Sequence, residues 1–461
     1  MSSDKNTKKN TKKKNKQNID NHINIDNLQA SIVNNKIRFN IDDISQQVPI
    51  LINRKNAIDY SSLITLLVNE VQLLKKTINS NITTQCHYKL NTDIIPSANT
   101  PPLNPVSYTP AQICTAYGIN KIILPTNPVT IAVVIAFHYP NLIDDCNVYA
   151  SKYLSWFKSP TLTPLPITQY IMPGGGASND GWACEECLDV QMILSINPNA
   201  KILVVEAVSN SYADLFNAVT YANNQKVDII SMSWGSNEFN GQSAYDNYFN
   251  NTSICYCVSS GDNVNPSYPS TSPNVLSVGG STLILNNNNS RNNESTWYYS
   301  NPLEGGGHGK SSYSPLPKYQ KNVYGISGNT RVTPDISAIA NPYYGFIVYY
   351  NGSFLTIGGT SVACPFMAGF LSIVASNRKK NNKSNLTTVY KNNASNNSLQ
   401  QMLYNIIYNY KGGNLSNYCL GCIYDVNTGI NGRDRAVNGY DNTTGVGTPI
   451  CDILYSKLSS I

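Results

Sequence analysis

Between residues 129 and 280 the chain alternates short, almost wholly apolar runs with stretches of helical period. VTIAVVIAF (129–137), AKILVVEA (200–207), VDIISMSW (227–234), SICYCVSS (253–260) and NVLSVGG (274–280) predict strands buried on both faces. A half-exposed strand would alternate apolar with polar positions instead. DLFNAVTYANN (214–224) and the segment beginning near Glu185 predict helices between them. This order predicts an α/β fold, a doubly wound, mostly parallel sheet with helices on both faces. In such sheets the functional groups collect at the carboxyl ends of the strands.

Ahead of this body the texture changes. Residues 1–28 are a Lys/Asn-rich tail, expected to be disordered because its residues bury too little apolar surface to offset the entropy of ordering. Residues 29–104 contain SSLITLLVNEVQLLKKTI, where Leu63, Leu67, Val71, Leu74 and Ile78 recur at helical spacing, and end in a proline-rich link, SANTPPLNPVSYTP. The helix is read as a packing or self-association surface. The expected division is therefore 1–28, 29–104 and a main domain over 105–461.

Charge and cysteine content change this picture little. The formal charge is +6, but residues 5–18 alone carry seven lysines, leaving 33 − 7 = 26 basic against 27 acidic residues elsewhere. The body is near neutral, and no nucleic-acid partner is expected. No apolar stretch of signal-peptide type follows the lysines, and no run of 18 apolar residues occurs, so no transmembrane segment is expected. Of the eleven cysteines, Cys184 with Cys187 and Cys419 with Cys422 have CxxC spacing. Without histidine clusters beside them, buried thiols are expected ahead of disulfides or zinc.

GGTSVACPFMAG (358–369) sets Ser361 among small residues at the mouth of an apolar helix, as a nucleophile would be set. Its base is not obvious. The histidines are His22, His87, His138 and His308; the first lies in the tail and the second just ahead of the proline link, so both are expected outside the site. His308 stands in GGGHGKSS, which fails as a phosphate loop because Glu304 occupies the required glycine position. Carboxylates offer an alternative: Glu185 and Asp189 are spaced i, i+4 on one helical face, and Asp262 follows a core strand in VSSGD. Taken singly, the pair reads as an acidic helical turn and the Gly-Asp as an ordinary turn.

Together these segments resemble the sedolisins, or serine-carboxyl peptidases, which include the tripeptidyl peptidases. The blocks are YTPAQICTAYGI (108–119), EECLD (185–189), IISMSWG (229–235), SSGD (259–262), YPSTSPNVLSVGGSTL (268–283) and GGGHGKSSYSPLPKYQ (305–320). RVTPDISAIANPYYGFIVYYNG (331–352), GGTSVACP (358–365), YDVNTGIN (424–431) and GYDNTTGVGTP (439–449) follow in the same order.

The resemblance implies a subtilisin-like fold and a peptidase acting on proteins or peptides at acidic pH. It implies Ser361 as nucleophile, Glu185 as base, Asp189 as the acid orienting it and Asp262 as an oxyanion-hole carboxyl. Ser233, Trp234 and Gly235 match a segment that pairs with the substrate backbone. One structural Ca2+ is implied, with Asp425 and Asp441 as carboxylate ligands and Val426, Val437 and Gly439 giving backbone carbonyls. Two departures stand out. Only about 100 residues precede the main domain, short for the family's folded propeptide. Ile135 stands where some members carry an extra acid, which implies a smaller acidic network. Two rival readings are a catalytically silent structural or virion-associated protein of this fold, and a histidine-dependent subtilase using His138 or His308.

Overall fold

In a computed structural model the described residues are 30–33, 36–39, 82–90, 106–155, 164–300, 303–389, 398–408 and 421–460. The tail (1–28) and the expected helix around Leu63–Ile78 lie outside them. Contacts divide the chain into two units, Met1–Ile64 and Thr65–Ile461. The first holds the antiparallel pair Ala30–Val33 and Lys36–Phe39. The second holds the other described elements, from Gln85–Cys86 to Cys451–Ser460.

The apolar runs form the central sheet. Its order is Arg291–Thr296, Leu276–Leu285, Cys255–Ser259, Ile229–Met232, Thr130–Ala136, Lys201–Ala207, Ile167–Ile171, with Ile336–Ile339 also paired to Leu276–Leu285. Every pairing is parallel except that of Arg291–Thr296, which lies antiparallel to Leu276–Leu285. Ile131, Val133, Val134 and Ile135 are fully buried, as strands covered on both faces require.

Two helices position the chemistry. The acid helix, Asp180–Ile196, starts where the Asn179 side chain accepts the Trp182 N–H, and it is buried from Trp182 to its end. The serine helix, Thr360–Lys380, packs against it and against the strands Ile229–Met232, Cys255–Ser259, Leu276–Leu285 and Ile336–Ile339. This is the one described helix long and apolar enough to cross a membrane, and here it is buried in the core. Among the described cysteines none is bridged; Cys184, Cys187 and Cys422 are buried free thiols.

One charged pair is also inside. Arg331 donates to Asp335 Oδ1 and Oδ2 at 2.9 and 2.6 Å. Asp335 also accepts the Ser277 N–H at 2.9 Å and the Tyr404 hydroxyl at 2.9 Å. Its buried charge is thus matched by an opposite charge and by two further donors.

Candidate active site

The acid helix carries Glu185 and Asp189 one turn apart on the same face, both fully buried. Asp189 Oδ1 accepts the Ser233 hydroxyl at 2.7 Å. Its other oxygen, and both oxygens of Glu185, have no hydrogen-bond partner among the described residues. Burial and then the neighbouring Asp189 charge push the Glu185 carboxyl well up, while the nearby Ser361 and Ser233 hydroxyls pull the other way. Burial likewise raises Asp189. Two carboxyls this close in a dry site do not both ionise, and they titrate as a pair.

Asp262 stands just past the carboxyl end of Cys255–Ser259, where Gly261 at φ +108° makes the turn. Its Oδ1 accepts the Thr360 N–H and hydroxyl, both at 2.8 Å, which ties it to the first residue of the serine helix. Its Oδ2 has no hydrogen-bond partner among the described residues. Burial raises this carboxyl to about 7, against the opposing pull of Thr360.

Ser361 is the second residue of the serine helix. Its backbone N–H is one of the first-turn donors that no helical carbonyl can satisfy. It donates to the carbonyl of His87 at 2.9 Å. Gly359, at φ +100°, leaves room for this approach: a Cβ there would strike His87 O, Asp262 Oδ2 and the Tyr88 Cα. Asp262 Oδ2 and the His87 carbonyl oxygen that the Ser361 N–H meets thus both lie against Gly359. The Ser361 hydroxyl reaches the carbonyl of Ser233 at 3.4 Å.

The SWG segment pairs with another stretch of the same chain. Trp234 and Gly235 pair antiparallel with Cys86 and Gln85, and Ser233 O accepts the His87 N–H at 3.2 Å. The Trp234 side chain points into the core, where its indole donates to Val134 O.

The rings of His138 and His308 are engaged by carboxylates. His138 Nδ1 lies 2.8 Å from Glu206, and His308 Nε2 lies 3.4 Å from Asp434. His87, expected outside the site, lies inside it with its ring buried and Nδ1 2.8 Å from Ser259 Oγ. It enters through backbone pairing of two-residue strands, which leave no periodic signal in the sequence.

The acidic network is larger than Ile135 implied. Across the sheet, Ile135 is in register with Glu206 on the adjacent strand. Fully buried Glu206 accepts from Gln169 at 2.7 Å, and its charge raises the neighbouring Glu186 carboxyl beyond the effect of burial alone. An acid ending the apolar run KILVVEA was the available signal.

In the carboxyl-terminal loop, Asp425 and Asp441 lie close enough that the Asp441 charge adds to burial in raising Asp425 to about 6. Asp441, also raised to about 6 by burial, accepts the Thr443 and Thr444 N–H groups at 2.9 Å each. Gly439 N–H approaches both Asp425 oxygens at 3.2 Å. Among the described residues neither carboxylate is ion-paired, and no group of three or more His, Cys, Asp or Glu converges to hold a metal. Two carboxylates without a cationic partner are donors of the type a hard cation takes, and the groups that meet them here are the N–H groups of Val437, Gly439, Thr443 and Thr444 and the Thr443 and Thr444 hydroxyls.

Residues 173–447, more than half of the chain, match the subtilase family model. Kumamolisin from Bacillus sp. (strain MN-32) is 27% identical over 291 residues, 57% of this chain and 48% of kumamolisin. Sedolisin from Pseudomonas sp. (strain 101) is 30% identical over 187 residues, 33% of this chain and 30% of sedolisin. The chain thus matches about half the length of the former and less of the latter. A solved structure of Pseudomonas sedolisin, a serine-carboxyl proteinase complexed with two molecules of pseudo-iodotyrostatin, overlays with a TM-score of 0.64. That overlay covers 77% of this chain and 99% of that one at 23% identity, a likeness of fold. The chain belongs to the subtilase family, and the relatives it resembles are sedolisin-like.

Proposed function

We propose that the protein is a serine peptidase that hydrolyses peptide bonds of proteins or peptides in acid, with Ser361, Glu185, Asp189 and Asp262 as its working groups. One observation carries this reading: the Ser361 N–H meets a carbonyl oxygen that lies, like an unpartnered Asp262 oxygen, against Gly359, beside a buried acid pair.

Ser361 Oγ attacks the substrate carbonyl while Glu185 accepts its proton, and Glu185 then returns that proton to the departing amine. Water hydrolyses the resulting ester. Asp189, held by the Ser233 hydroxyl, steadies the orientation of Glu185. Asp262 acts as a neutral acid: only its protonated form can donate to the developing oxyanion alongside the Ser361 N–H. With its pKa raised to about 7, that form is kept in acid and lost as pH rises. The base needs an ionised carboxylate in the Glu185–Asp189 pair, which titrates as a unit, so activity spans the pH range in which that pair keeps one charge while Asp262 keeps its proton.

Ser233, Trp234 and Gly235 supply the edge on which a substrate backbone adds as a strand. One Ca2+ fits the carboxyl-terminal loop, held by Asp425, Asp441 and the carbonyls of Val426, Val437 and Gly439, where it would neutralise the pair and fix the loop.

The test is casein cleavage between pH 3 and 5 by the parent, Ser361→Ala, Glu185→Gln and His308→Ala. Loss in the first two variants with retention in the third supports the reading. A parent inactive at every pH supports the silent structural protein, and a His308→Ala loss supports a histidine base.

A further inference from the structure

Beside Asp262 stands an acid that the proposed reaction does not use. Glu304 lies in the short strand Leu303–Gly305, where Gly305 donates its N–H to Asp262 O at 3.2 Å and accepts the Val264 N–H at 3.1 Å. Glu304 is therefore fixed one residue from the chain that pairs with the Asp262 turn. Only 5% of it is exposed. One of its oxygens meets the Lys89 ammonium at 2.9 Å, and the other has no hydrogen-bond partner among the described residues. No second ion pair reaches this carboxylate among them. Tyr299 stands opposite Glu304 on the paired strand Tyr298–Ser300, and its ring meets that of Tyr343 edge-on at 5.4 Å. A carboxylate this dry is costly as an anion unless a cation meets it.

Main-chain pairing fixes which side chain arrives at this wall. The Ser361 N–H meets His87 O, so Tyr88 is the first residue beyond that carbonyl and Lys89 the second. Lys89 and Leu90 pair antiparallel with Gly358 and Ile357, the strand leading into Ser361. A peptide added to this edge in the same register brings the second residue after its reacting carbonyl to Glu304. The Lys89 side chain is 29% exposed and that of Glu304 6%. The ammonium thus comes from the solvent side onto a carboxylate already set in the wall.

We propose that Glu304 is a specificity-determining residue, the base of a subsite for a cationic side chain, lysine or arginine, at the second position on the amine side of the cut bond. The inference rests on Ser361 being the nucleophile and on the edge Ile357–Gly358 receiving the substrate. Peptides basic at that position are the substrate class that follows. Norleucine offers the same straight stem without the charge and leaves the carboxylate unpaired. Glutamate there sets two anions against each other in a largely dry site.

Casein is digested between pH 3 and 5 by the full-length parent and by Glu304→Gln, and the cut bonds are read by mass spectrometry. A peptide taken from the most frequent cut is then remade with lysine, norleucine or glutamate at the second position after the bond, and kcat/KM is measured for each. The expected result is enrichment of lysine and arginine at that position in the parent, with the lysine peptide cut about ten-fold faster than the norleucine one and the glutamate peptide slowest. In Glu304→Gln the lysine-to-norleucine ratio falls to about one, and in Glu304→Lys the glutamate peptide becomes the best of the three. Should neither variant fold, the parent's own ratio decides. A ratio near one in the parent, casein cuts without basic enrichment, or a ratio kept in Glu304→Gln overturns the inference and leaves the proposed function standing. Failure to cut casein at all overturns both.

Discussion

Two acids buried in the same core are treated in opposite ways. Asp335 meets a guanidinium, a backbone N–H and a tyrosine hydroxyl. Glu185 is buried as deeply, yet among the described residues neither of its oxygens is hydrogen-bonded. A satisfied acid holds one charge state and ties strands together. A starved one is unstable as an anion and ready to take a proton from a neighbour, which is the property a general base requires. Burial alone does not separate these two carboxyls; the number of donors that reach each one does.

The sharpest way to break the comparison is Glu185→Gln. Peptidase turnover is expected to fall about 10⁴-fold, with the melting temperature at pH 7 unchanged or higher, because a group costly to ionise is removed. A large drop in melting temperature would make Glu185 a structural acid like Asp335. The converse change, Arg331→Leu, strands the Asp335 charge and is expected to cost about 3–5 kcal/mol in urea unfolding.

Asp262→Ala removes the proposed oxyanion donor, an expected loss of about 10²–10³-fold in turnover. Asp262→Asn restores a donor that does not titrate, so activity is regained and its decline toward neutral pH is weakened. The same substitution carries a stability signature. An acid whose folded pKa is raised stabilises fully below its ordinary value of 3.8, and that contribution is lost as pH rises through about 7. Melting between pH 4 and 7 should therefore decline less steeply in Asp262→Asn.

The smallest expected effect is chelation of Ca2+, about 2–3 kcal/mol at a hundred-fold excess over the dissociation constant. It should vanish in Asp441→Asn while the Arg331 and Glu185 effects persist.

Much of this was legible in the chain. The central strands declared themselves because cover on both faces makes them uniformly apolar, and the i, i+4 spacing of Glu185 and Asp189 follows from helix geometry. Glu206 was visible but unread, since strand register alone brings it opposite Ile135. The passage of residues 82–90 was invisible. Its hold depends on main-chain groups, which every sequence possesses, and the imidazole of His87 is distinctive only once Ser259 is beside it.

The strand Gln85–Cys86 and its partner edge are joined through one continuous chain. A tethered occupant of this sort acts at an effective concentration on the order of millimolar, whatever the dilution of the protein. Apparent affinities of small inhibitors will therefore depend on whether Gln85–Cys86 lies on that edge, and dilution will not relieve that competition.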